Sequence, residues 1–330
     1  MKIKETIGLD MSKEKFDARI HSNQNYEVFE NSFKGVNNLL KWVDKNSPFK
    51  KEEIMFVFEH TGLYSYQISV FLSEQKVPFV MMPGLAIKRS LGIARGKDDK
   101  IDATKIALYG YRLRDELQPT KLASRQVASV KRLLSLRDRL VKQRAGYKAS
   151  FKEQSKVLSK KDNRLLLNTQ EKMMHYLSKQ IANIEKELQI LIDSDKTLKQ
   201  AYDLLIGIKG VGPQTALYMI VLTNGFVKFK NYRKFASFCG VAPFPNQSGK
   251  LNKGSKISHL ANKKMKTLLD LCAKSAIKHN NEIKQYYERR IGQDKNKRST
   301  INIVRNKLLA RMFAVVQRGT PYVNTMKHIA

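Results

Sequence analysis

The chain has 330 residues, and its 62 Lys and Arg residues outnumber its 29 Asp and Glu residues to leave a formal net charge of +33. With 42% hydrophobic residues it can form a packed core, which argues against global disorder. It contains no stretch of about 18 uncharged apolar residues, no apolar signal-peptide core at its start and no CxxC motif. We therefore expect a cytoplasmic protein without a membrane span, a disulfide framework or a cysteine-based zinc site.

The positive charge is concentrated toward the C-terminus. Residues 1–115 contain 19 basic and 15 acidic residues, residues 116–199 contain 19 and 9, and residues 200–330 contain 24 and 5. This excess predicts an anionic partner, with nucleic acid first and an anionic membrane surface or a ribosomal-type structural role as alternatives. The nearly neutral first segment can hold an acidic site, whereas the basic remainder suits phosphate binding.

The first 118 residues are predicted to form an α/β domain. The expected elements are strands ETIGLDMS (5–12), KFDARIHS (15–22) and NYEVFENS (25–32), a helix around residues 36–43, strand IMFVFE (54–59), a helix over 63–74 and strand VPFVMMP (77–83). The last two strands are nearly continuous apolar runs, which are typical of buried parallel strands. The order β-β-β-α-β-α-β, followed by helices, predicts an RNase H-like fold.

The rest of the chain is predicted to be helical. Residues 119–199 contain a single glycine, Gly146, and apolar residues at three- and four-residue steps, so we expect two long helices that form a hairpin or coiled-coil arm bent near 159–164. Residues 200–330 are predicted to form a mostly helical third domain. Its helices are expected near residues 214–223, 230–238, 257–279, 281–290 and 299–317, with a loop over 240–256.

Carboxylates follow two neighbouring strands of the predicted sheet. Asp10 closes the first strand and Glu59 closes the central one, while GKDDKIDA (96–103) adds Asp99 and Asp102 on one helix face. Carboxylates that converge repel one another, and Mg²⁺ bound to their oxygens would remove that penalty and polarise a phosphodiester. The alternative is that these acids are ordinary turn and cap residues. Asp98 competes with Asp99 for the third position, and the i, i+3 spacing to Asp102 favours Asp99.

The segment IGIKGVGPQTA (206–216) is typical of a helix-hairpin-helix element. Gly210 and Gly212 would let backbone N–H groups approach a phosphate beside Lys209, with Pro213 at the first turn of the following helix. An ordinary glycine-rich turn between two helices is the alternative. Such a contact would hold the nucleic-acid backbone without reading bases.

The segment GVAPFPNQSGKLNKGSK (240–256) places a serine among cations. Ser248 is a candidate nucleophile, because nearby lysines could neutralise a phosphoryl oxygen, although a turn residue is the alternative. Ser255 and Ser258 compete with it. The lysines expected to contact nucleic acid here are Lys250, Lys253 and Lys256.

Basic and aromatic residues are interleaved in the last helices, in KKMK (263–266), YYERR (286–290) and KNKR (295–298). They suit a groove that follows a nucleic-acid backbone, with a solvated helix face as the alternative. The lysines expected to bind in the first of these motifs are Lys263, Lys264 and Lys266.

In this order, the motifs resemble one family, the DEDD transposases of the insertion sequence 110 type. The matching segments, which span nearly the whole chain, are GLD (8–10), FEHTG (58–62), GKDDKIDA (96–103), GIKGVGPQTA (207–216), FASFCGVAPFPNQSGK (235–250) and HLANKKMK (259–266). The resemblance implies a RuvC-like first domain, a coiled-coil link and a C-terminal transposase domain. It further implies that Asp10, Glu59, Asp99 and Asp102 bind Mg²⁺, with Mn²⁺ as a substitute, and that Ser248 forms a covalent phosphoserine link to DNA.

The resemblance also carries expectations about partners. Such a protein would bind donor and target DNA together with a noncoding bridge RNA whose base pairing reads sequence. It would act as a dimer to tetramer, with the acids and the serine of one site coming from different subunits, in the nucleoid of a prokaryote. Many members carry two serines before the glycine, whereas this chain has Gln247-Ser248-Gly249.

Two other functions remain open from the residues alone. A RuvC-like junction nuclease would hydrolyse DNA with water and Mg²⁺ and would form no covalent adduct. A non-catalytic nucleic-acid-binding protein would use the acids only as helix caps and would need no divalent cation.

Overall fold

The computed structural model describes residues 2–90, 98–229, 231–248 and 251–323. The chain divides into two compact units, Met1–Leu122 and Ala123–Ala330, and the finer division at residues 118 and 199 stays a prediction. Across the described helices, none has the length and apolar character needed to cross a bilayer.

The N-terminal unit is a five-stranded mixed sheet with helices. Its strands are β1 (Glu5–Met11), β2 (Lys15–Ile20), β3 (Tyr26–Glu30), β4 (Ile54–Glu59) and β5 (Phe79–Met82), and its helices are α1 (Phe33–Asn46), α2 (Tyr66–Glu74), α3 (Gly84–Ser90) and α4 (Asp99–Arg112). The sheet order is β3-β2-β1-β4-β5. The predicted order of strands and helices is confirmed, and this topology is compatible with an RNase H-like fold.

The directions of the strands determine which strand ends lie at the same edge of the sheet. β1 pairs antiparallel with β2 but parallel with β4, and β4 pairs parallel with β5. The carboxyl ends of β1, β4 and β5 therefore lie at one edge of the sheet, which we call the carboxyl edge. Since β3 is antiparallel to β2, its own carboxyl end lies at this edge as well.

Helix α4 packs directly on β1 because small residues allow close approach. A side chain on Gly8 would overlap the backbone of Ala103 and Ala107. The Thr6 hydroxyl donates to the Ala107 carbonyl at 2.9 Å. These contacts run α4 antiparallel to β1, so the first turn of α4 lies at the carboxyl edge.

The C-terminal unit is mainly helical. Its elements are α5 (Arg125–Val157), α6 (Arg164–Asp193), α7 (Lys196–Ile206), α8 (Pro213–Thr223), α9 (Tyr232–Phe238), β6 (Pro243–Ser248), β7 (Leu251–Ile257), α10 (Lys263–His279), α11 (Asn281–Gly292) and α12 (Lys297–Arg318). α5 and α6 pack as an antiparallel pair, since Arg137 contacts Glu185 at one end and Arg144 donates to Ser178 farther along. Two long helices separated by a turn are therefore as predicted.

One core spans the C-terminal unit. Buried residues near the start of α5, such as Val130, and near the end of α6, such as Leu188, join it with α7, α8, α9, α10 and α12. The free end of the helix pair lies outside this core, and Val157 and Leu165 are exposed there.

The expectation of a loop over residues 240–256 is wrong. β6 and β7 form a two-stranded antiparallel sheet, and the helix expected from residue 257 begins at Lys263. Asn262 explains that start, because its side chain accepts a hydrogen bond from the Met265 N–H. The prolines are compatible with β6 because this strand has a partner on one side only.

Candidate active site

Four carboxylates predicted to act together are placed at the carboxyl edge. Asp10 is the sixth residue of β1, and Glu59 is the last residue of β4, which pairs with β1. Asp99 and Asp102 lie in the first turn of α4, where the helix dipole stabilises negative charge. Asp10, Glu59 and Asp102 are half-buried, and Asp99 is exposed.

Burial and neighbouring acids both affect the electrostatics of Asp10. Burial, and then the charges of Asp102, Asp99, Asp17 and Glu59, raise the pKa of Asp10 to about 6. Each of these charges disfavours the ionised form of Asp10, so a bound cation would relieve repulsion among five carboxylates. Asp99 is one of the contributing charges, and the choice of Asp99 over Asp98 as the third acid stays a prediction.

Two lysines partly neutralise the acids of α4. Lys15 Nζ lies 3.4 Å from Asp99 Oδ2, and Lys105 Nζ lies 2.9 Å from Asp102 Oδ1. Among the described residues no group of three or more His, Cys, Asp or Glu side chains is arranged to hold a metal ion. The donor set fits a hard divalent cation by its chemistry, since it consists of carboxylate oxygens that repel one another.

Sequence reasoning missed two neighbours of these acids. Asp17 is buried directly across the β1–β2 ladder from Asp10 and accepts a hydrogen bond from the Tyr26 hydroxyl. The pairing of residues 10 and 17 around a tight turn at 12–14 could have revealed it. Gly84, at the start of α3, lies against the Glu59 carboxylate, and any side chain on Gly84 would overlap that carboxylate.

The glycine-rich turn joins α7 to α8. Gly210 has φ of +101°, and a side chain on it would overlap Ala276 of α10, so close packing requires glycine there. Gly212 is the N-cap of α8 with open space around it, and Pro213 is the first helical residue, as expected. Lys209 is exposed beside this turn. The helix-turn-helix geometry is present, and phosphate binding by it stays a prediction.

The candidate serine is the last residue of β6, in register with Leu251 of β7. The side chains of Ser248, Lys253 and Lys256, and all of Lys250, lie outside the described part of the structure. Of the competing serines, Ser258 accepts a hydrogen bond from the Leu260 N–H in a local turn. Ser255 is exposed on β7.

The lysines of KKMK differ in their surroundings. Lys263 is exposed, Lys266 is half-buried, and Lys264 Nζ lies 2.7 Å from Asp138 Oδ1 of α5. Lys264 also lies over the ring of Tyr218, whose hydroxyl donates to the other oxygen of Asp138. Burial, followed by this hydrogen bond, raises the pKa of Tyr218. This cluster ties α5 to α8 and α10, so Lys264 has a structural partner.

Comparison with known proteins identifies the class of protein to which this chain belongs. A profile described as "Transposase" matches residues 7–158, and one described as "Transposase IS116/IS110/IS902 family" matches residues 202–288. The chain is thus a transposase, an enzyme of DNA recombination. It belongs to the IS110 family.

Relatives agree with this assignment, two of them over nearly the full length of the chain. The pilin gene-inverting proteins of Moraxella lacunata and Moraxella bovis are each 26% identical over 323 residues, which covers 96% of this chain and 97% of theirs. A 43.6 kDa protein of insertion element IS110 from Streptomyces coelicolor is 23% identical over 153 residues, 46% of this chain and 38% of that protein.

Two neighbouring lysines offer a matched test of structural and DNA-binding roles. Lys264→Gln is expected to lower the melting temperature by about 2–4 °C, because it leaves Asp138 without its cation. Lys263→Gln is expected to leave the melting temperature unchanged and to reduce the salt dependence of DNA binding by about one phosphate contact. Calorimetry and DNA titrations over a range of salt concentrations measure both effects. Equal behaviour of the two variants would contradict this division of roles.

Proposed function

We propose that this transposase cleaves and rejoins DNA strands through a covalent phosphoserine intermediate at Ser248, with the acids of the carboxyl edge binding Mg²⁺. The observation that carries the proposal is the placement of Asp10, Glu59, Asp99 and Asp102 on three elements at the carboxyl edge. Burial and the charges of the neighbouring carboxylates raise the pKa of Asp10, which agrees with this placement. Acids that served only as helix caps would not need to come from three elements to one edge of the sheet. A hydrolytic nuclease would share the acids but would have no use for the serine.

The proposed metal ligands are Asp10, Glu59, Asp99 and Asp102. Bound Mg²⁺, or Mn²⁺ in its place, would supply charge neutralisation and polarisation of the scissile phosphate. Lys15 and Lys105 hold Asp99 and Asp102 in place through their ion pairs, and their ammonium groups can turn toward phosphate when a cation binds the acids. Asp17 keeps further negative charge beside Asp10 and so favours cation binding there.

The serine step conserves the energy of the broken bond. The Ser248 oxygen attacks phosphorus, the bond from phosphorus to one bridging sugar oxygen breaks, and the released sugar hydroxyl takes up the proton that the serine loses. A hydroxyl of the recipient strand then attacks the phosphoserine, which restores the serine and seals the new strand. No nucleoside triphosphate is consumed. Lys253 and Lys256 of β7, and Lys250 just before this strand in the chain, would neutralise the phosphoryl oxygens.

The family and the relatives support exchange of DNA strands between two sites as the overall reaction. The Moraxella relatives are named for gene inversion, and they match this chain over nearly its whole length. Inversion and transposition both need paired cleavage and rejoining, so the same chemistry serves either outcome. We expect a dimer to tetramer in which acids and serine of one site come from different subunits, with the α5–α6 pair acting as a coiled-coil arm.

A bridge RNA is the proposed source of sequence specificity. The +33 charge suits a protein that neutralises two nucleic acids at once, with the excess concentrated after residue 115. The lysines beside the glycine-rich turn and in α10 can hold backbones without reading bases. Purifying the protein from its host and sequencing the bound RNA tests this part. One structured RNA encoded beside the transposase gene supports guidance, whereas a random mixture supports plain electrostatic binding.

Trapping the intermediate tests the main proposal. The protein, purified with its bound RNA, is incubated with Mg²⁺ and DNA carrying its element's ends and a nick beside the cleavage site, so that the released strand diffuses away. The adduct is digested, and mass spectrometry locates the modified residue. Phosphate on Ser248 supports the proposal, and cleaved DNA with no attached protein supports the hydrolytic nuclease instead.

Gly84 gives a test of the acids that leaves folding intact. Gly84→Ala is expected to displace the Glu59 carboxylate and to slow strand cleavage by about a hundredfold, since small misplacements of catalytic groups have effects of that size. Stability should hardly change, because the overlapping atoms end a flexible side chain and alanine suits a helix. Gly146→Ala, which adds a side chain in open space, is the control. Unaltered cleavage by Gly84→Ala would contradict the role of Glu59.

A further inference from the structure

Apolar side chains project into solvent beside the acids. Leu63 is 81% exposed, Tyr64 43% and Tyr66 47%, in the segment that follows Glu59. Phe33, the first residue of α1, is 59% exposed. We call the three aromatic residues, together with the aliphatic Leu63 beside them, the aromatic rim. Their shared position at the carboxyl edge distinguishes them from exposed apolar residues scattered singly over a surface.

Asn31 brings the segments of the rim together. Its side-chain amide donates to the Ser12 carbonyl at 2.8 Å and to the Tyr64 carbonyl at 2.9 Å. Ser12 lies two residues after Asp10, and Tyr64 lies five residues after Glu59. One amide therefore links the chain leaving β1, the chain leaving β4 and the start of α1. Leu63, four residues from Glu59, is within about 15 Å of it by chain length alone.

The segment that carries the rim is held by its own hydrogen bonds. The Gly62 N–H donates to His60 Nδ1 at 3.1 Å, and the Tyr66 N–H donates to the Leu63 carbonyl at 3.2 Å. Ser65 is buried between the two exposed tyrosines. Because this segment is fixed, its apolar side chains are presented outward in the folded protein instead of collapsing onto the core.

We propose that the aromatic rim stacks on unpaired bases of the DNA strand next to the scissile phosphate. The inference rests on the proposed function, in which the neighbouring carboxyl edge binds that phosphate. A strand held there must place its adjoining nucleotides against the surface that continues from Asp10 and Glu59, and aromatic rings are suited to unstacked bases. Exposed Lys13 and Lys34 flank the rim and suit the backbone of the same strand. Pairing of the proposed bridge RNA with one DNA strand would displace the other strand, and this supplies the unpaired bases.

Base stacking can be measured without cleavage. The probe is an oligothymidylate with one 2-aminopurine, whose fluorescence is quenched on stacking, titrated in EDTA as a single strand and as a duplex. Tyr64→Ala and Tyr66→Ala are each expected to weaken single-strand binding about tenfold and to reduce quenching, with little effect on the duplex. The slope of affinity against salt should be unchanged, because no cation is removed, whereas Lys34→Gln should lower it.

Two controls separate stacking from general damage. Tyr64→Phe keeps the ring and should bind as the parent protein does, and Tyr176→Ala removes an exposed tyrosine from α6 and should have no effect. Parental binding and quenching by both alanine variants, or equal losses on single strand and duplex, would overturn the inference. Failure of the proposed function would appear separately, as absence of a Ser248 adduct, because this titration needs neither metal nor cleavage.

Discussion

Ser248→Ala is expected to abolish the covalent protein–DNA adduct and with it all strand exchange. Alanine has no oxygen to attack phosphorus, so the loss should reach the detection limit, beyond the roughly thousandfold effects seen when one stabilising donor is removed. DNA binding should persist, since the lysines that hold the backbone are unchanged. The measurement is the band of retarded, protease-sensitive DNA on a denaturing gel after incubation with Mg²⁺.

Neighbouring serines provide the controls for this experiment. Ser255→Ala removes an exposed hydroxyl from the paired strand β7, and Ser258→Ala removes one already engaged with the Leu260 N–H. Both variants should form the adduct. An adduct that persists in Ser248→Ala and disappears in Ser255→Ala would transfer the nucleophile to the other strand of the small sheet.

Local sequence patterns were sufficient to predict the fold of the N-terminal unit. The strands of the sheet are recognisable as alternating or continuous apolar runs. Their order along the chain allows few topologies once the rules of handedness and pairing are applied. The β6–β7 sheet was missed because its residues are those of turns, with Pro243, Pro245 and Gly254 among them. A two-stranded ladder on an edge tolerates such residues, so composition alone cannot separate it from a loop.

The candidate site was only partly accessible from the sequence. Asp10 and Glu59 were predicted because each lies at or next to the carboxyl end of a buried strand, and the order of strands makes those ends neighbours. Gly84 and Asn31 act through tertiary contacts with Glu59 and Tyr64, which no periodicity encodes. Lys264 shows that a basic motif can also mislead. The sequence does not reveal that this lysine of α10 forms an ion pair with Asp138 of α5.

Asp10→Asn is expected to reduce Mg²⁺-dependent strand cleavage by at least about a hundredfold, which corresponds to losing several kcal/mol of metal-assisted stabilisation of the transition state. Asp10 is the acid on which the others converge, so its loss should weaken metal binding as well as rate. Cleavage measured over a range of Mg²⁺ concentrations distinguishes the two effects. Lys45→Gln, a change in the last turn of α1 away from the acids, is the control and should cleave normally.

The same variant is expected to be more stable than the parent protein, and this effect tests the site independently of catalysis. Because the folded protein raises the pKa of Asp10 to about 6, stability falls as pH rises from the unfolded pKa near 3.8 through 6, and it stays reduced above that. Asparagine carries no charge, so Asp10→Asn should be more stable than the parent by about 1 kcal/mol in EDTA at neutral pH, a figure reduced for the solvent that screens this half-buried group. The difference should vanish near pH 4, where the parent Asp10 is protonated when folded. Added Mg²⁺ should raise the melting temperature of the parent alone. A variant that is inactive yet no more stable in EDTA would show that burial and the neighbouring carboxylates do not destabilise the ionised form of Asp10.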